Sequence, residues 1–388
     1  MNLEWKYGKL NDAVNKASSN ISLNKIQKES GDYPVFGAKG FVKSVSFFQQ
    51  QSEYLAIIKD GAGIGRVSKH PAQSSVLATM QYIIPKEEYD IDFVRYFLES
   101  LDFEEYRTGS TIPHIYFKDY KNAKFPLVGY NEQKQIVAIL DEAFEAIDRA
   151  KANIEKNIQN AKELFQSKLN EIFTLNADGW EQKRLPDIAL EFGRGKSKQR
   201  PRNDERLFGG DFPFVQTGDV RNVDKFITSY SQTYNEIGLK QSKLWPKGTI
   251  CITIAANIAE TAILDFEGCF PDSIIGLVVD ENIANRDYAF YALQFMKAEL
   301  QAQGKGSAQD NINLGTFQSQ YFPFPELLIQ EKMVQIMDDI QNKCTLIENI
   351  YMMKLETLDE LKKSILQKAF DGELTNETLQ IIEYGKRN

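Results

Sequence analysis

The sequence GSTIPHIYF at residues 109–117 returns in diverged form as GSAQDNINL at residues 306–314. From these starting points the chain aligns with itself without a gap, 109–173 against 306–370, with fourteen identities in 65 positions. Self-similarity over such a length is the signature of a structural unit that occurs twice. We therefore predict two homologous halves.

Matches outside the helical pattern separate a true repeat from two helices that merely share a periodicity. Such matches precede both helical segments: Gly109-Ser110 with Gly306-Ser307, and Phe125-Pro126 with Phe322-Pro323. Shared periodicity does not explain them. Further upstream, Trp5 and Trp180 correspond at a shorter offset, so that the second copy carries about 22 additional residues.

A long helix is predicted after each Phe-Pro pair. Apolar residues recur there with a 4-3-4-3 spacing over residues 136–164 and 333–365. This spacing makes a narrow apolar seam, whose partner is most often another helix. We expect helices over residues 131–175 and 326–376 that pair with each other as an antiparallel coiled-coil spacer. The alternative is that each helix folds back onto its own globular domain.

The regions before the helices mix the two kinds of secondary-structure pattern. Runs rich in β-branched residues at 54–58, 249–254 and 274–279 predict strands. Residues 92–101 and 286–300 predict short amphipathic helices.

These patterns give an α+β fold class with a pseudo-twofold internal repeat. Two mixed α/β domains, residues 1–130 and 176–325, are each followed by one of the long helices. Residues 377–388 form a tail.

Composition bounds the class of protein. The 388 residues carry 46 Lys and Arg against 54 Asp and Glu, a net charge of −8, and the hydrophobic fraction of 42% is ordinary for a globular chain. Neither a run of ~20 apolar residues nor a secretory signal is visible. The three cysteines lie far apart, without disulfide or metal spacing. We expect a soluble cytosolic protein.

The catalytic motifs considered all fail. GRGKS at residues 193–197 resembles a phosphate loop, but Leu190 stands where that motif needs glycine. The glycines at 61–65 miss the dinucleotide-binding spacing. Two histidines, at positions 70 and 114, are too few for a metal cluster with histidine and cysteine ligands. We predict no catalytic residue, no metal site and no enzyme activity for the chain itself.

Several motifs occur in a characteristic order. They are YPVFGAKG at 33–40 and KDGAGIGRV at 59–67, FVQTGDV at 214–220, and GSAQDNINL at 306–314 followed by Phe322-Pro323 and QEKM at 330–333. In this order, with the repeat, the whole chain resembles the specificity subunit of type I restriction–modification systems.

The resemblance implies a function. Each target-recognition domain would read one part of a split double-stranded DNA target, and the paired helices would set the gap between the parts. Two modification subunits would supply adenine-N6 methylation from S-adenosylmethionine. Two restriction subunits would supply ATP- and Mg-dependent translocation and cleavage, so that this chain binds no cofactor itself. The alternative is a coiled-coil adaptor that joins two protein-binding domains. A hydrolase with a divergent active site is a third class of function, but no residue in the sequence supports it.

Candidate DNA-binding residues combine basic or polar chemistry with position in these motifs. In the first half they are Lys59, Arg66, Lys69, His70, Thr111 and His114. In the second half they are Arg194, Lys196, Lys198, Arg200, Arg202, Thr217, Gln309 and Asn311. The alternatives are a solvated basic loop for residues 194–202 and turn or helix caps for the polar residues.

Overall fold

The chain divides into two compact units. The computed structural model describes residues 5–175, 179–198, 204–255, 258–305 and 314–373. Unit 1 comprises residues 1–156 and 351–388, and unit 2 comprises residues 157–350. Each unit thus contains one globular part together with segments of both long helices.

Unit 1 begins with short strands and ends its globular part at the first long helix. Its strands are β1 (Tyr7–Lys9), β2 (Val14–Ser18), β3 (Tyr33–Gly37), β4 (Gly40–Val45), β5 (Tyr54–Ile58), β6 (Val67–His70), β7 (Ser75–Val76), β8 (Met80–Pro85) and β9 (Lys124–Pro126). Its helices are α1 (Leu10–Ala13), α2 (Leu23–Ile26), α3 (Ile91–Ser100), α4 (Phe117–Tyr120) and the first part of α5 (Tyr130–Leu175).

Unit 2 repeats this order with additions. Its strands are β10 (Glu181–Arg184), β11 (Ala189–Arg194), β12 (Phe208–Phe214), β13 (Phe226–Ile227), β14 (Gln232–Tyr234), β15 (Ile250–Thr253), β16 (Thr261–Leu264), β17 (Ile274–Val279) and β18 (Tyr321–Phe324). Its helices are α6 (Thr217–Arg221), α7 (Glu236–Gln241), α8 (Arg286–Lys305), α9 (Leu314–Ser319) and the first part of α10 (Leu327–Phe370).

The two central sheets have the same strand order. Unit 1 has β2-β8-β5-β6, and unit 2 has β11-β17-β15-β16 with β13 added in parallel at the edge. Their middle strands are buried on both faces, as in the apolar run at Tyr54–Ile58, because helices and a second small sheet cover them. The extra residues of the second copy fall between β11 and β15. The α+β class and the internal repeat are confirmed.

The two long helices run antiparallel within unit 1. Lys151 of α5 pairs with Asp359 of α10. Seven residues earlier in α5, the ring centroid of Phe144 lies 4.6 Å from Nζ of Lys362, which comes after Asp359 in α10. Contacts that move backward along one helix thus move forward along the other. The apolar seam of α5 is buried here, but against the globular core as well as against the end of α10. Both alternatives raised by the sequence therefore hold at once: each helix packs on a domain and on the other helix.

The predicted seam is wrong at two positions. Leu164 is 50% exposed and Ile347 is 40% exposed. A straight helix has 3.6 residues per turn and drifts away from a 3.5-residue repeat. In unit 2 the neighbouring Phe165 packs on the core instead.

Candidate nucleic-acid interface

In unit 1 two distant segments meet at the end of strand β5. The Gly61 N–H donates a 2.9 Å hydrogen bond to the Pro113 carbonyl oxygen. His114 Nδ1 lies 2.7 Å from Asp60 Oδ1, and the Ile115 N–H donates to the carbonyl oxygen of Lys59. The structure thus brings the predicted residues Lys59 and His114 together, with Thr111 exposed in the adjoining loop.

The glycine-rich turn between β5 and β6 needs its glycines. Gly65 has a φ of +81°, and a Cβ there would lie 2.5 Å from Phe103. Gly63 has a φ of +96°, and its missing side chain leaves room for the Arg66 guanidinium. Arg66 is exposed over this turn. Because the turn is sterically specified, it holds Arg66 close to the segment that carries His114.

Lys69 lies further along β6 and is already paired. Its Nζ is 2.9 Å from Asp92 Oδ2 and 3.7 Å from Glu53 Oε2. The hydrogen bond to Asp92 raises the pKa of Lys69. This ammonium is therefore engaged with α3 rather than offered to a ligand.

His70 is a core residue. It is 7% exposed, its ring lies 4.6 Å from Phe36 and stacks on Tyr54, and its Nε2 is 2.8 Å from Ser68 Oγ. Burial lowers the pKa of His70 to about 4. A neutral, buried imidazole presents no charge at the surface of unit 1.

In unit 2 the basic segment that begins at the last residue of β11 is anchored by contacts to backbone groups. The Gly195 N–H donates to the Ile274 carbonyl oxygen at 2.8 Å, and a Cβ at Gly195 would lie 2.3 Å from the Phe270 carbonyl oxygen. Arg194 Nε donates to the Asp272 carbonyl oxygen. Lys196 and Lys198 are exposed on either side of buried Ser197. Arg200, Arg202, Gln309 and Asn311 lie outside the described residues.

A cleft of about 670 Å³ opens beside this basic segment. Ser197 lines it from one side and Thr217, the first residue of α6, from another. Two segments that the sequence singled out separately thus line the same cleft. Gln216 and Gln232 also line the cleft, although neither is among the predicted site residues. Gln216 stands in the FVQTGDV motif, whereas Gln232 carries no sequence signal.

Within the described ranges, no cluster of three or more His, Cys, Asp or Glu side chains could hold a metal ion. None of the helices in the described part of the chain is long and apolar enough to cross a membrane.

Comparison with known proteins gives a family match in two copies. The model of the type I restriction modification DNA specificity domain matches residues 2–160 and 177–356. The chain is 24% identical over 343 residues to the type I restriction enzyme MjaIX specificity subunit of Methanocaldococcus jannaschii, covering 82% of this chain and 76% of that protein. It is 23% identical over 391 residues to the StySPI specificity subunit of Salmonella potsdam, covering 92% and 82%.

Solved structures with the same fold cover almost the whole chain. One, described as part of the complex assembly and conformational transition of a type I restriction–modification system, superposes with a TM-score of 0.74 at 17% identity over 95% of this chain and 98% of that one. The HsdS subunit from Thermoanaerobacter tengcongensis superposes with a TM-score of 0.54 at 17% identity, over 96% and 98%.

Proposed function

Because the chain belongs to the type I restriction modification DNA specificity family, we propose that it recognises a DNA target in two parts and directs partner subunits to it. The observation that carries the proposal is the duplication itself. The family domain matches twice, and the two units have central sheets of the same strand order. Two related readers in one chain imply two half-sites, because each reader contacts its own stretch of duplex.

Each reader offers a different set of contacts. In the first domain, residues 1–130, Lys59, Arg66, Thr111 and His114 form the proposed surface. In the second, residues 176–325, it is formed by Arg194, Lys196, Lys198 and Thr217. His70 is left out because it is buried. Lys69 is left out because its ammonium is paired with two carboxylates, those of Asp92 and Glu53, whereas Lys59 and His114 share the single carboxylate of Asp60. Arg200, Arg202, Gln309 and Asn311 stay predictions from the sequence.

The long helices act as the spacer. The boundary between the units falls at residues 156/157 in α5 and at 350/351 in α10, so both connections between the readers run through helix. At 1.5 Å per residue, helix length sets a distance, and distance along DNA sets a number of base pairs. The two long helices, α5 (Tyr130–Leu175) and α10 (Leu327–Phe370), therefore fix the gap between half-sites in this proposal.

Catalysis belongs to partner subunits in this proposal. Two modification subunits bind S-adenosylmethionine and methylate adenine N6, and two restriction subunits use ATP and Mg for translocation and cleavage. The chain contributes recognition and assembly, binds none of these cofactors, and works in the cytoplasm, where the DNA of the cell is. A coiled-coil adaptor between two protein-binding domains has no comparable observation in its favour, because the family match names a DNA specificity domain.

Methylation mapping tests the proposal. The chain is expressed with its modification subunit in a host free of other adenine methylation, and genomic N6-methyladenine is located by sequencing. We expect one motif made of two specified parts separated by a fixed gap, and no motif when this chain is left out. An uninterrupted motif, or the same motif without this chain, would overturn the proposal.

A further inference from the structure

Two glutamine side chains face each other at the cleft of unit 2. Gln216 Nε2 donates a 2.8 Å hydrogen bond to Gln232 Oε1, and both side chains are exposed. We propose that Gln216 reads the major-groove edge of an adenine in the second half-site, and that Gln232 is a positioning residue that orients the Gln216 amide. The inference rests on the DNA-reading function proposed above.

The backbones that carry the pair are fixed. The Gln216 N–H donates a 2.8 Å hydrogen bond to Asp219 Oδ2 at the start of α6. Gln232 stands in β14 directly opposite Phe214 of β12, and the ring of Phe214 stacks on buried Tyr234 at 4.1 Å. A group that reads a base must be held within ~0.5 Å of its productive position. The backbones of Gln216 and Gln232 are held by these contacts, and so they position the side chains more closely than a free surface loop would.

The hydrogen bond between the two glutamines determines which polar groups of Gln216 remain free to bind a ligand. A primary amide has two N–H donors and one carbonyl oxygen. The bond to Gln232 uses one N–H of Gln216, which leaves its carbonyl oxygen and its second N–H. In the major groove adenine shows an acceptor at N7 and a donor at N6, the pattern that matches this pair. Guanine shows two acceptors there, thymine one acceptor and cytosine one donor, so none of them uses both free groups.

The surroundings favour a base edge over a phosphate in the cleft. Lys196 and Lys198 are exposed on either side of Ser197, which lines the cleft, and exposed cations beside a base-reading site can contact the DNA backbone. The exposed Glu205 also lines the cleft, and its carboxylate repels a phosphate. Two uncharged amides and a carboxylate therefore line the cleft, and the two lysines flank one of its lining residues.

The test measures base preference in the assembled methyltransferase. Duplexes that carry each of the four base pairs at each position of the mapped target are methylated by the wild-type complex and by variants. We expect one A·T position in the second half-site at which Gln216→Ala lowers the preference for A·T about 5- to 150-fold, as for loss of one bidentate contact. Preferences at all other positions should be unchanged. Gln318→Ala, at an exposed glutamine of α9, is the matched control and should change none.

Two further variants separate reading from positioning. Gln216→Glu removes the donors, so the preference at that position should move from A·T towards C·G, because cytosine N4 donates. Gln232→Leu should lower the A·T preference. The separate variant Gln232→Glu should keep the wild-type preference, because a carboxylate still accepts a hydrogen bond from Gln216 Nε2.

The outcomes distinguish this inference from the proposed function. If the wild-type complex selects no second half-site, the proposed function is wrong. If it selects one, and Gln216→Ala and Gln216→Glu keep every wild-type preference, the assignment of Gln216 is overturned. If Gln232→Glu behaves as Gln232→Leu does, the positioning role of Gln232 is overturned.

Discussion

The side-chain oxygen of Gln133 accepts a 2.8 Å hydrogen bond from the backbone N–H of Asp90, the residue that caps α3. In unit 2, Gln330 accepts in the same way from the N–H of Asn285, which precedes α8, also at 2.8 Å. Each glutamine is 1% exposed and also donates to a carbonyl oxygen in the loop before its own long helix. One buried amide in each unit therefore ties the start of a long helix to the globular part.

Replacing Gln133 tests how much this tie contributes. Gln133→Ala leaves the Asp90 N–H and the Val128 carbonyl oxygen buried without their partner, so we expect the free energy of unfolding of unit 1 to fall by about 2–3 kcal/mol. Chemical denaturation measures it. Gln135→Ala, on an exposed face of the same helix, should change stability by no more than about 0.5 kcal/mol. Equal losses in the two variants would contradict the prediction.

The basic segment of unit 2 is tested by salt dependence. Lys196→Ala and Lys198→Ala should each weaken binding to all DNA sequences alike and lower the slope of log K against log salt by about 0.9, because each phosphate contact releases a counterion. Affinity measured at several salt concentrations with the assembled methyltransferase gives the slope. Lys343→Ala serves as the control, since this exposed lysine of α10 is paired with Asp339 at 2.7 Å. An unchanged slope in both variants would mean that the segment is only a solvated loop.

Much of the architecture was predictable because repeats and periodicities are local properties of the sequence. The helix predicted at 92–101 is α3, and the strand predicted at 274–279 is β17. The alignment of 109–173 with 306–370 places Gln133 opposite Gln330, and these two residues make equivalent hydrogen bonds. Such features follow from side-chain spacing and from the burial that the spacing demands.

The candidate site was less predictable because it depends on tertiary pairing. Nothing adjacent to His70 in the sequence indicates that Phe36 and Tyr54 enclose it. The pairing of Lys69 with Asp92 likewise joins β6 to a helix that comes later in the chain. Gln232 faces Gln216 only because β14 pairs with β12. A basic or polar residue therefore becomes a site candidate only once its neighbours are known.

Burial of His70 should make unit 1 sensitive to acid. In the unfolded chain the imidazole has its ordinary pKa of ~6.5, whereas in the folded protein burial lowers the pKa to about 4. The unfolded state therefore binds the proton more readily between these values. As the pH falls from about 6.5 to about 4, this group should remove up to about 3 kcal/mol from the free energy of unfolding.

Comparison with a variant isolates the contribution of His70. His70→Gln should be less stable than wild type at pH 7.5, because it loses packing against Phe36 and Tyr54, but its stability should decline less steeply below pH 6.5. NMR of the imidazole gives an independent measurement, and the ring should stay neutral at pH 5.5. A protonated ring at that pH, or parallel stability curves, would contradict the prediction.

The last prediction concerns the spacer, where both connections between the units run through helix. Four residues inserted after Lys156 and four after Ile350, at the two boundaries, lengthen each helix by about 6 Å and by slightly more than one turn. The double insertion lengthens the antiparallel helices together, so that the Lys151–Asp359 pair stays within unit 1 and the Lys162–Glu348 pair within unit 2. Because DNA rises 3.4 Å per base pair along each strand, the gap in the methylated motif should grow by about one or two base pairs. The two half-sequences should stay the same, since the reading surfaces lie on the globular parts.

Methylation mapping of the double insertion measures both the gap and the half-sequences. An insertion in α5 alone is the mismatched control, and this variant should assemble poorly. Altered half-sequences at an unchanged gap would mean that the helices take part in reading bases rather than in spacing the readers.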